Sequence, residues 1–502
     1  MRGRWLSRVR GALVLAFWVA MMVLLAQRER AARQPRDAPP VEWTAEASAS
    51  PAETGGGREE WMGVYLNGAK LGYAVSRTEP LDAGYRIRGR SHLRLPLQGQ
   101  VRTVETTSSV AIDARHRLRT LDFRLRSDVQ NLRVQGKAEP GKLLLEIDTG
   151  GTRSQRTVPL TKPIVIPDAM TPILARSGRL RPNTAHTLEI FDPVALAPAS
   201  ATILIGEEES IEGDKGPLRA LRCEMTYRGF RTIAWVTPEG ETLREESPMG
   251  WTMVRQSRES ALREPPGQPT EDLVYSAAVP ANVPVRNPRF VRFLRVELTG
   301  ADLSTLSLAT ERQRQETAES GLLEVRSERV DTGKAPSLPI SAPAMALYLS
   351  PETLIQSDDP AIVDAARAAA GGERNAWRAA VSIGRWVHDS VEKSPAISVP
   401  SALDVLRTRK GDCNEHTALF VALARAAGIP AEACAGIVYV NDSFFYHAWP
   451  RVWVGQWVSM DPTFGQEIAD ATHIELVRGG LDRQAEILRL VGKLRVRIIK
   501  AE

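Results

Sequence analysis

Residues 410–430 read "KGDCNEHTALFVALARAAGIP", and the order of residue types in this stretch decides how the C-terminal part of the chain folds. Asp412 is a good N-cap, and Glu415 follows three positions later, the capping-box spacing that satisfies two orphan N–H groups at a helix start. Gly428 and Pro430 end the helix. Leu419, Phe420, Leu423 and Ala426 recur at helical spacing and form its buried stripe. Cys413 therefore stands at the first helical position, with the helix body in a core and its N-terminus at a surface or cleft. A lone helical cysteine is ordinarily a small buried hydrophobe, so this thiol needs partners before it means chemistry. The helix dipole supplies about 0.3 to 1 kcal/mol, less than the ~1.4 kcal/mol of one pKa unit. A stronger activator, such as a histidine able to take the thiol proton, is required.

The candidate is His447 in "FFYHAWPRVWVGQWVSMDPTF", residues 444–464. Phe444 to Val454 reads as a strand, Gly455-Gln456 as a turn and Trp457 to Asp461 as the returning strand. Asp461 precedes Pro462, which biases it toward extended backbone. An antiparallel hairpin brings His447 and Asp461 near each other, with the carboxylate placed to fix the imidazole tautomer. A two-residue turn, however, sets position 450 opposite 461 and puts the two side chains on opposite faces. The reading therefore demands a bulge near Pro450 or a longer loop.

Together, Gly-x-Cys heading a helix that ends in Gly-Ile-Pro, the "YHAW" strand and the "WVSMDPTFG" strand resemble the core of the transglutaminase-like superfamily, over about residues 370–470. The resemblance implies a papain-like α+β fold with Cys413 as nucleophile, His447 as general base and acid, and Asp461 as orienting carboxylate. It implies thiolate attack on an amide carbonyl, an oxyanion held by backbone N–H groups including that of Cys413, and a thioester resolved by water or an amine. Arg451 stands where many relatives carry an acidic residue, which leaves these three residues intact but loosens any inherited substrate preference. No cofactor is implied. Cys413 and His416 have Cys-x-x-His spacing, but no complete zinc ligand set accompanies them, and His416 reads as a polar neighbour of the site. Trp449, Trp453 and Trp457 either wall the cleft or fill the strand core. Cys434 reads as a strand residue and Cys223 as a buried thiol.

Working outward, a chain of 502 residues with 43% hydrophobic and 25% charged residues has ordinary globular composition and room for several domains. Lys+Arg (65) and Asp+Glu (60) nearly balance, and no basic stripe interleaved with aromatics runs through the chain, so nucleic acid is not an expected partner. Residues 1–27 have a basic head and an apolar run from Gly11 to Ala26. This reads as an uncleaved signal anchor with a cytoplasmic N-terminus, leaving the bulk of the chain extracytoplasmic (periplasmic). Residues 28–58 read as a flexible linker. Residues 59–262 read as a large antiparallel β domain, loosely half-barrel-like, opened by a hairpin at Asn67-Gly68; its recurrent arginines read as a solvated sheet face. Residues 273–345 read as a small β module and 350–502 as the α+β transglutaminase-like domain, in which Ser401 and Asp404 occupy capping-box positions of a short helix. Three cysteines are an odd count in an oxidising compartment, so at least one is unpaired within the chain.

The resulting expectation is a membrane-anchored thiol enzyme acting on amide bonds of protein or peptide substrates, hydrolytic by preference because water needs no dedicated acceptor site. Protein cross-linking or glutamine deamidation is the nearest alternative. A non-catalytic envelope assembly or binding protein that uses the β domain is the contrasting class.

Overall fold

The computed structural model describes residues 58–502, apart from 129, 150, 166–169, 195, 212–216, 228–229, 248–249, 265–271, 305, 307, 318–319, 396–398, 400, 481–486 and 488–489. The expected anchor (1–27) and nearly all of the expected linker (28–58) lie outside the described residues. No helix among the described residues is long and apolar enough to cross a membrane.

Strict alternation of apolar and polar residues from Arg58 to Gln256 builds one 15-stranded sheet. Strand Lys142–Thr149 shows the cause: Leu143, Leu145 and Ile147 point to one face and are buried, while the residues between them are partly exposed. A side-chain period of two sends every second residue to the core. The strands follow one another in up-and-down order except for Ile164–Val165, which pairs parallel with Thr184–Asp192, and the first, Arg58–Leu66, pairs antiparallel with Trp251–Gln256 to join the two halves. Asn67 and Gly68 both adopt positive φ (46° and 86°) at the first hairpin, as that dipeptide predicts. On the outer face, Arg88 reaches Glu79, Arg90 reaches Glu105 and Arg133 reaches Asp122. These are solvated ion pairs of the kind that contribute little net stability.

The C-terminal region is α+β. Helices Pro360–Ala370, Ala376–Ser390, Ala402–Thr408 and Cys413–Ala426 share a core in which Ile383, Val387, Leu419, Phe420 and Leu423 meet Val452 and Val458 of the adjoining sheet. That sheet has the order Val279–Pro280, Ser443–Trp453, Ala431–Val440, Ile474–Arg478, with Trp457–Ser459 paired to Ser443–Trp453. A further four-stranded sheet joins Phe293–Thr299, Gln313–Gln315 and Leu322–Arg326 to the returning strand Arg495–Ala501. The end of the chain thus completes a sheet begun some 200 positions earlier, at Leu294↔Ala501 and Thr299↔Arg495. Ser401 heads its helix without a side-chain cap bond, unlike the expected capping box. Its hydroxyl is taken instead by Thr149 of the large sheet (3.2 Å) and by Gln356 (3.1 Å).

Candidate active site

The helix Cys413–Ala426 begins with a complete capping box: Asp412 Oδ1 accepts from the Asn414 N–H (2.9 Å), and Glu415 Oε2 accepts from the Asp412 N–H (2.8 Å). Cys413 is the first helical residue and partly accessible. Its thiol receives the backbone N–H of Ala448, the residue after His447, so the cysteine sits against the histidine strand. Burial pushes the Cys413 thiol well above its usual pKa; the Asp412, Glu415 and Asp461 carboxylates push it further, and only the Ala448 N–H opposes them. The helix end therefore does not activate the thiol by itself, in line with the need for a histidine partner. The same capping box that shapes the helix surrounds the sulfur with negative charge.

His447 and Asp461 are brought together. His447 Nε2 donates to Asp461 Oδ2 at 2.8 Å, with the carboxylate fully buried and the imidazole 6% exposed. The register that the sequence left unresolved is settled by a connection of three residues, 454–456, which closes on the pair Trp453↔Trp457. One residue more than the expected turn shifts the pairing by one place, and Asp461 moves to the face that carries His447. Asp461 then leaves the strand: its N–H and C=O exchange bonds with Gln466 (2.9 and 2.8 Å), and its Oδ1 accepts from the Phe464 N–H (3.1 Å). Because Asp461 occupies Nε2, the ring nitrogen of His447 left for thiol chemistry is Nδ1. Phe464 and Trp449 lie nearly parallel to the imidazole, at 5.0 and 6.0 Å between centroids, and limit its rotation.

A second histidine, not singled out in the sequence, completes the cluster. His473 is fully buried, and its Nε2 donates to the same Asp461 Oδ2 at 3.0 Å. Its Nδ1 faces the Asp470 carbonyl (3.2 Å) and the Asp470 carboxylate (3.5 Å). Asp470 in turn lies 3.0 Å from Arg289 and accepts from the Thr472 N–H and hydroxyl. Burial would raise the Asp461 carboxyl, but the charge and hydrogen bonds of His447 and His473 outweigh it and hold it far below the usual range. Burial likewise opposes the charged form of His473, but Asp461 and Asp470 prevail and raise its pKa. The only sequence signal for His473 is its place just before the alternating run Ile474–Arg478. That run pairs with Ala431–Val440, a long-range contact no local pattern reveals.

His447, Asp461 and His473 are also the one group among the described residues whose donor atoms lie close enough together to share a cation, within 4.8 Å of one another. His416 Nδ1 donates to the Asp412 carbonyl (2.6 Å), and burial lowers its pKa; it lines the first turn rather than joining the cluster. Arg451 turns away to Glu432 and Glu311 and stacks over Trp457 (4.1 Å). All three cysteines are unpaired. Cys434 is buried in its strand, and burial pushes the Cys223 thiol up to about 11.

Comparisons with known proteins bear on this region. Residues 364–462 match the family model of the transglutaminase-like superfamily. Protein ML0607 of Mycobacterium leprae (strain TN) is 29% identical over 103 residues, covering 18% of this chain and 37% of that protein; the chain thus spans little more than a third of the length of that curated relative. Among solved structures, a Cytophaga hutchinsonii protein proposed to be a cysteine protease aligns over 41% of this chain and 85% of its own, with 17% identity and a TM-score of 0.31. A β-barrel-like protein of a domain of unknown function from Brucella abortus aligns over 40% and 95%, with 14% identity and a TM-score of 0.32. With the cysteine helix and the histidine hairpin inside the matched segment, the chain carries a transglutaminase-like superfamily domain at residues 364–462.

Proposed function

We propose that this chain is a thiol enzyme that cleaves amide bonds of polypeptides, with Cys413 as nucleophile, His447 as base and then acid, and Asp461 as the carboxylate that orients His447. The observation that carries the reading is the 2.8 Å Nε2 to Oδ2 bond between His447 and Asp461, on the strand whose Ala448 N–H reaches the Cys413 thiol. In this reading the thiol proton passes to His447 as sulfur attacks the carbonyl. The carbonyl π pair moves to oxygen, and the Cys413 N–H at the helix start is a natural donor to it. Collapse expels the amine, which takes the proton back from His447, and leaves a thioester. Water is then activated by His447 and releases the acid. Hydrolysis is favoured over transfer to an amine because the site needs no second substrate. In this proposal the apolar run Gly11–Ala26 anchors the chain and the enzyme works outside the cytoplasm.

Wild type and Cys413→Ala incubated with envelope extracts test this reading, with released peptides, released ammonia and new cross-links measured together. Peptides released by wild type alone support hydrolysis. Cross-links from wild type alone would shift the reading to acyl transfer, and identical products from both proteins would sink it.

A further inference from the structure

Asp461 Oδ2 receives two imidazole N–H groups, and a nucleophile and base require only one of them. We infer that His473 is a positioning residue, a buried imidazolium that pins Asp461 between two rings and so fixes the carboxylate that orients His447. The inference rests on the reading of Cys413 and His447 as nucleophile and base.

The protonation follows from what each nitrogen of His473 faces. Nε2 lies 3.0 Å from a carboxylate oxygen, and Nδ1 lies 3.2 Å from a carbonyl and 3.5 Å from a second carboxylate. A neutral imidazole has a lone pair on one nitrogen, which here would point at an oxygen lone pair. Only the cation donates on both sides. The charged groups around the ring form an alternating series: Arg289 beside Asp470, Asp470 beside His473, His473 beside Asp461, and Asp461 beside His447. Arg312 donates to the Asp470 carbonyl (2.9 Å) and lies 3.8 Å from Glu328. Glu475, two positions along the strand, is bonded to Arg478. The rings of Trp449 and Phe464 stand edge-on to His473.

The consequence for His447 is positional: its ring centre lies 5.8 Å from that of His473, and the two imidazoles hold one carboxylate oxygen from two directions.

The test is the pH dependence of iodoacetamide alkylation at Cys413, read by peptide mass spectrometry on the full chain from pH 5 to 9.5. His473→Gln keeps a donor and removes the charge, so the midpoint should rise by roughly one pH unit. Loss of the positive charge disfavours the thiolate and moves the midpoint upward. A His473→Gln profile that superimposes on wild type would overturn the inference. A wild-type Cys413 that behaves as an ordinary thiol would instead overturn the nucleophile and base reading. Nitrogen NMR of histidine-labelled wild type decides independently of any variant's folding. The buried ring should carry both protons at pH 7, and a neutral ring there rejects the inference.

Discussion

His447 and Asp461 meet at 2.8 Å on one side of a hairpin whose connection is three residues long, 454–456. Since side chains alternate along a strand, that length is what puts both on the same face. Deleting Gln456 should give the two-residue turn and carry Asp461 to the opposite face. The variant should keep most of its secondary structure by circular dichroism but lose the histidine-dependent pH profile of Cys413 alkylation. A deletion variant that alkylates like wild type would show that the register does not build the site.

Gly436 lies opposite His447 in the strand pairing and next to Glu475 on its other side. A Cβ there would stand 2.0 Å from the Ile474 carbonyl oxygen and 3.0 Å from the Trp449 ring. One strand flanking Gly436 carries His447 and the other begins immediately after His473, so Gly436→Ala must push one of them away. Backbone cannot yield cheaply, and a stability loss of about 1 to 3 kcal/mol is expected. Chemical denaturation measures it, and the His473 imidazole resonances should move in the same variant. An unchanged denaturation midpoint would contradict this account of the packing.

Local chemistry made much of this site legible. Asp412 and Glu415 announce a helix start because their hydrogen bonds close within four residues, and Asn67-Gly68 announces a hairpin because its backbone needs positive φ. The long sheet shows itself through alternation at Leu143, Leu145 and Ile147. The hairpin register was out of reach, since "VWVGQWV" fits a turn of two residues or a loop of three equally well. His473 and the strand Arg495–Ala501 were hidden for another reason: their partners are distant in sequence, and nothing local marks a residue for a contact made by topology.

The carboxylates of the cluster set how stability depends on pH. Burial would raise the pKa of Asp470, but His473, Arg289 and Thr472 bring it from 3.8 to about 2. A folded value below the unfolded one gives stability that is present above about pH 4 and is lost as pH falls through the folded value. The gap corresponds to about 2 kcal/mol, and Asp461 acts in the same direction. His473, whose folded value is raised, has the opposite sign. Its contribution is complete below about pH 6.5 and fades as pH rises through the folded value. Asp470→Asn should therefore destabilise more at pH 7 than at pH 3 in urea titrations. An equal loss at both would show that the Asp470 charge does not contribute.

The capping box gives a prediction of the opposite sense, a gain in reactivity. Asp412 shapes the start of the helix by accepting the Asn414 N–H, yet its charge, after burial itself, is the largest influence holding the Cys413 thiol up. Asn caps a helix about as well as Asp, so Asp412→Asn separates the two roles. The helix should form as before, and the thiol should ionise more readily because a neighbouring negative charge is gone. Cys413 alkylation at pH 7 should speed up by roughly threefold, about half a pKa unit, while Cys223 and Cys434 stay buried and slow. A slower Asp412→Asn thiol with unchanged helicity would mean that the carboxylate assists the sulfur, reversing the sign assigned to it here.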